Sequence, residues 1–256
     1  MSSEQPTDYI GMGNPDAKIL FVGSEKALSA SNLAHAPILN HELVLNHKHW
    51  FDIVTRHLHK DPFDPSLLSR SGPLAGFNPY SPLLFPSTEA IVRRSGGHTY
   101  RGMERLINAY EVHAGLHPTT TIWEKKTHAK STSSRIFISE LSTQVAPNQA
   151  LAKFDLCRFL SSLRHKFMTG VARDFYQGFD VVVLYCGRNA NYVGQKGTKE
   201  RRAVIRIFNP IAIHAVSPAP AGFEVYSPTT GARIILCRHF AGGFGKVMAT
   251  AIAGSM

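Results

Sequence analysis

Four side chains able to take up a proton or grip a polar ligand each stand at or just past the end of an apolar run. Glu25 ends "KILFVGSE", Glu140 ends "RIFISE", Arg188 follows "DVVVLYCG", and His239 ends "ARIILCRH". Carboxylates accept hydrogen bonds and protons, an imidazole does either near neutral pH, and such groups carry general acid–base chemistry. They lie far apart in the chain. They converge if the four runs are strands of one parallel sheet, because ligands collect outside the carboxyl ends of such strands.

Other groupings are less pointed. His47, His49, His57 and His59 fall on or near one helix, but exposed histidines on a basic helix are commoner than a metal site, and no metal is expected. Residues 194–202, "GQKGTKERR", form a basic loop entering a helix, either a solvated face or a phosphate contact. Neither G-x-x-x-x-G-K-[ST] nor G-x-G-x-x-G follows a strand, which argues against a nucleotide triphosphatase or a dinucleotide oxidoreductase. Three cysteines, Cys157, Cys186 and Cys237, lack paired ligand spacing and read as reduced core residues.

The elements that would position the four side chains follow from hydrophobic periodicity. Strands are expected at 19–23, 135–142, 180–187 and 232–239, the third being the most pronounced because its apolar run is continuous. Helical spacing appears over 40–59, 99–116, 148–177 with a break near Gly170, and 198–208. Residues 60–98, rich in Pro, Gly and Ser, read as a long loop-rich insertion, and excursions of that length are usually functional or disordered. Strands alternating with helices predict an α/β fold with a mostly parallel sheet and helices on both faces.

With 256 residues, 43% of them apolar, the chain can bury one sizeable core, so a single domain spanning 1–256 is expected. The formal charge of +10 favours a polyanionic partner, since Lys and Arg displace counterions from phosphates. The polar start "MSSEQPTDYIGMG" has no charged segment followed by an apolar one, and no apolar run approaches a membrane span. A cytoplasmic protein with no membrane partner is expected.

The order of these parts, over roughly residues 11–248, resembles the uracil-DNA glycosylase superfamily. "GNPDAKILFVGSEKA" is similar to its first strand and water-activating loop, and "IFISEL" to its middle strand, whose end reads the base. "FNPYSPL" resembles the loop that supplies a stacking ring, and "LCRHFAGGF" stands where that family has a strand and a histidine motif. The resemblance implies a three-layer α/β/α fold around a central, mostly parallel four-stranded sheet.

It also implies roles. Glu25, where the family has Asp or Asn, would hold or activate water, and His239 would donate a hydrogen bond to the departing base. Glu140 stands where an Asn usually reads uracil; an acceptor-only carboxylate suits the exocyclic amine of cytosine better. Phe77 or Tyr80, flanking Asn78, would stack on the base, and Ser142 is the alternative reader if the register is displaced by two. Ser24, Lys26, Arg188, Lys196, Lys199, Arg238 and Lys246 are expected to meet DNA, with Gly242 and Gly243 at a phosphate and Phe240 as a wedge in the vacated stack.

Each role has an architectural alternative: a helix-end charge for Glu25, a salt-bridged Glu140 turned away, a structural His239, core packing for Phe240 and Phe77. Three cysteines cannot hold a four-cysteine iron–sulfur cluster, and no cofactor or protein partner is expected. The reading is a monofunctional DNA glycosylase acting on a flipped base, with a modified cytosine of phage DNA as the favoured target. Deaminated-base repair, a non-catalytic DNA binder and a hydrolase of free nucleosides are the alternatives.

Overall fold

The structure, a computed structural model, describes residues 10–27, 46, 47, 50–52, 54, 55, 98–118, 136–146, 155–185, 198–211, 215, 216, 223–226, 230–237, 240 and 245–256; of 24–27, 98, 100, 142–146, 215 and 216 it describes the backbone alone. All four expected strands form: Ile19–Ala27 (β2), Ile136–Ala146 (β3), Val181–Tyr185 (β4) and Arg233–Cys237 (β7). They lie parallel and adjacent in the spatial order β3-β2-β4-β7.

The sheet is wider than the expected four strands. Met12–Gly13 (β1) adds antiparallel to β3, and Phe223–Tyr226 (β6) and Ala215–Val216 (β5) add antiparallel beyond β7, giving a mixed sheet of seven strands among the described residues of an α/β fold. Strands of two to four residues are too short to leave a periodic signal in sequence.

Alternation along the inner strands sorts their side chains onto two faces. Leu20, Val22, Val182, Leu184, Ile234 and Leu236 point to one face, with Phe137 and Leu141 from β3. That face is covered by helical residues between 46 and 55, notably Trp50 and Val54, and by four helices: Leu156–Leu160 (α2), Leu163–Thr169 (α3), Arg173–Gln177 (α4) and Lys199–Phe208 (α5). Ile19, Phe21, Val181, Val183, Tyr185 and Ile235 point to the other face, against His98–His113 (α1) and Lys246–Ala253 (α6). Each fully buried aliphatic or aromatic side chain contributes about 1.5–3 kcal/mol, so a strand covered on both faces must read as the unbroken "VVVLY" of β4.

Two expectations about helices and loops change. The helical pattern expected over 148–177 breaks near Gly170 as expected, where α3 ends, but also between α2 and α3, because Ser162 caps α3 through its hydroxyl, which accepts from the His165 amide at 3.1 Å; residues 148–154 lie outside the described residues. "SEKA", expected as a loop, is strand: β2 runs on to Ala27 because β3 runs on to Ala146 beside it, with an irregularity between Glu25 and Ala27. The pairing partner, not the local sequence, sets that length.

Arg201, 2% exposed, ties α5 to β6: its Nη1 donates to Glu224 Oε2 at 2.8 Å, and the Tyr226 hydroxyl donates to the same oxygen at 2.6 Å. Burial and then the neighbouring Glu224 carboxylate push the Tyr226 phenol up to about 12.

Candidate functional site

β2 and β3 run in register, Gly23 beside Glu140 and Glu25 beside Ser142, and since the pair continues to Ala27 and Ala146 both glutamates lie within strands and not at the strand ends the sequence suggested. Two acidic residues therefore stand on adjoining strands, two rows apart. At a rise of about 3.3 Å per residue and a strand spacing of about 4.8 Å, their backbones are about 8 Å apart. That is the span of one nucleotide.

Glu140 lies on the α1/α6 face, as Ile136 and Ile138 do. Its half-buried side chain extends from β3 across β2, where the nearest atoms to a Cβ placed on Gly23 would be the Glu140 carboxylate. The absence of a side chain at Gly23 leaves room for this close approach. On the far side of β2, the Tyr185 hydroxyl at the end of β4 donates to Glu140 Oε1 at 3.3 Å. The carboxylate thus bridges three strands at the switch point of the sheet, between β2 and β4, where open α/β sheets take their ligands.

The tyrosine is itself held by aromatic packing. Its ring lies 5.0 Å from that of Phe240 at 30°, and Phe240 stands edge-on to Phe21 at 5.7 Å. Phe240 is 2% exposed and presses on α1 at Gly102, where a Cβ would strike its ring. Of the two readings of Phe240, wedge and core, the structure gives the core: a ring enclosed by Phe21, Tyr185 and α1 is not available to enter a base stack.

From the opposite face, Arg164 of α3 reaches the same residue. It is 3% exposed, and its Nη2 donates to the Glu140 carbonyl at 2.9 Å, to Ser139 Oγ at 2.9 Å and to the Tyr176 hydroxyl at 3.1 Å. Ser139 and Tyr176 in turn donate to the Ile10 carbonyl at 2.6 and 3.1 Å. The guanidinium lies over the rings of Tyr176 and Phe167 at 5.6 and 5.8 Å, while its buried Nε and Nη1 have no hydrogen-bond partner among the described residues. Its acceptors are neutral oxygens, and it makes no ion pair among the described residues. Arg164 therefore meets residue 140 through the main chain, not as the salt-bridge partner that would turn the carboxylate away.

The other expected residues divide into three groups. Ser24, Glu25, Lys26 and Ser142 are placed by the backbone of β2 and β3 at this end of the sheet. Lys199 and Lys246 are exposed in the first turns of α5 and α6. Phe77, Asn78, Tyr80, Arg188, Lys196, Arg238, His239, Gly242 and Gly243 lie outside the described residues, as does the 60–98 insertion.

Of the cysteines, Cys237 is a core residue whose thiol burial pushes well up, whereas Cys157 is exposed on α2, against expectation, and Cys186 lies outside the described residues. A five-residue helix covers the core with one side only, through Phe159, and Cys157 falls on the other. His47 stacks on Phe51 at 4.9 Å. Among the described residues no three His, Cys, Asp or Glu side chains are grouped to hold a metal ion, and no helix is long and apolar enough to cross a membrane.

Gly23, Tyr185 and Arg164 were not singled out by the sequence. Each left a trace: a glycine inside a strand pattern marks a close approach, a tyrosine ends an otherwise aliphatic strand, and an arginine occupies the core-facing position four residues before Met168. Comparison with family models, with curated proteins and with solved structures finds no match for this chain.

Proposed function

We propose that the chain is a monofunctional DNA glycosylase, a divergent relative of the uracil-DNA glycosylases, which hydrolyses the N-glycosidic bond of a base swung out of its stack. The observation that carries this is the Glu140 carboxylate seated over Gly23 at the switch point, with the backbone of Glu25 about one nucleotide away. In this reading Glu140 accepts from the exocyclic amine of the base and Glu25 holds the attacking water. His239, two residues past β7, supports the leaving group as charge builds on it.

Phe77 or Tyr80 supplies the stacking ring, and the basic side chains hold the backbone phosphates. Extrusion of the nucleotide costs a few kcal/mol, which these contacts offset. An acceptor-only reader favours an amino-bearing base over uracil. A cytosine carrying a substituent, as in some phage DNA, fits that preference and gives the enzyme a role against foreign DNA in the cytoplasm.

The test uses oligonucleotides carrying uracil, hypoxanthine, cytosine or modified cytosines, followed by alkaline cleavage of abasic sites. Breaks at a modified cytosine are expected, and Glu25→Gln should slow base release by about 10²–10⁴-fold with DNA affinity unchanged. Breaks at uracil alone would refute the cytosine assignment. Binding without release from any substrate would make this a DNA-binding protein instead.

A further inference from the structure

We infer that Arg164 and Tyr185 are positioning residues for Glu140, gripping it from opposite faces of the sheet; this rests on the reading of Glu140 as the group that contacts the base. Two observations carry it. The pairing of β1 with β3 reaches only to Met12 beside Ile138, so among the described residues no strand accompanies the outward edge of β3 at the reader. Arg164 Nη2 takes over there, holding the Glu140 carbonyl and Ser139 Oγ, each at 2.9 Å. On the other face Tyr185 holds the carboxylate itself at 3.3 Å, above the one residue of β2 without a side chain in the way.

Architecture alone does not account for Arg164. A buried cation with, among the described residues, two unpartnered nitrogens and only neutral acceptors stabilises a core less well than an apolar side chain of the same length. What the guanidinium does supply is direction, by fixing the main chain from which the reader projects. Tyr185, by the same logic, needs its ring for packing and its hydroxyl for the carboxylate. The two halves of the grip can therefore be removed separately, Arg164→Met taking the main-chain half and Tyr185→Phe the side-chain half.

The experiment follows the side-chain carboxyl carbon of Glu140 by NMR in the free full-length protein, with Glu140→Gln as the assignment control, and base release at single turnover in parallel. Tyr185→Phe keeps the ring and removes one hydrogen bond to the carboxylate; the Glu140 titration midpoint should rise. Arg164→Met should move the same resonance while melting within about 2 °C of the wild type or above it. Both variants should lower the rate of release about tenfold or more with unchanged DNA affinity.

A Glu140 resonance and midpoint that stay put in Tyr185→Phe would overturn the inference, and so would an Arg164→Met protein that loses activity only in step with its melting temperature. Should Arg164→Met fail to fold, its role is structural and the grip is refuted on that face, leaving Tyr185→Phe to decide the other. Wild-type protein that releases no base from any oligonucleotide would refute the glycosylase reading alone, since the resonance needs no DNA.

Discussion

Phe240 and Gly23 show how one position can be read two ways until its surroundings are known. Phe240→Ala removes a ring enclosed by Phe21, Tyr185 and α1, and should cost about 3–5 kcal/mol in a denaturant titration. A wedge would instead leave stability intact and slow extrusion. Gly23→Ala should do the reverse. The new methyl meets the mobile end of Glu140, not backbone, so the carboxylate gives way at a cost of about 1 kcal/mol to the fold. Base discrimination should then fall at almost constant melting temperature. The opposite pattern in either variant, read from paired melting and release assays, would reassign the residue. That Glu25 and Glu140 fall on adjoining strands was legible because each closes an apolar run, whereas Gly23, Tyr185 and Arg164, which meet Glu140, matter only through neighbours supplied by other elements.

At the scale of elements, caps and runs were readable and extensions were not. Thr198 before α5 and Ser162 before α3 accept from the amides three residues on, a local device that sequence displays openly. The polar tails of β2 and β3 are strands only because they have each other. The tie between α5 and β6 was equally hidden, since Arg201 reads as one member of a basic run. Its partner Tyr226 makes that tie testable. An unfolded phenol titrates near 10, and the folded one is raised to about 12. The contribution to stability is therefore whole below pH 10 and is lost as pH climbs to about 12. Chemical denaturation across that window should show the fall, and Tyr226→Phe should flatten it.

For the molecule as a whole, the net charge of +10 was the plainest feature of the sequence and makes the most general prediction. If the chain neutralises DNA phosphates, the logarithm of its affinity falls linearly with the logarithm of salt concentration, by about 0.9 per phosphate on duplex. Glu25→Gln should keep that slope. Affinity indifferent to salt, measured by titration at several ionic strengths, would exclude a phosphate-bound mode. The sheet order carries a consequence of a different kind. Gly23, Glu140 and Tyr185 belong to three adjoining inner strands, each covered by helices on both faces. Gly23 and Tyr185, paired on inner strands, stay together when an edge strand frays, whereas Glu140 stands where β3 has no outer neighbour among the described residues. The amides of Gly23 and Tyr185 should exchange with deuterium more slowly than that of Glu140, and on warming the carboxylate's seat should loosen from the β3 side first.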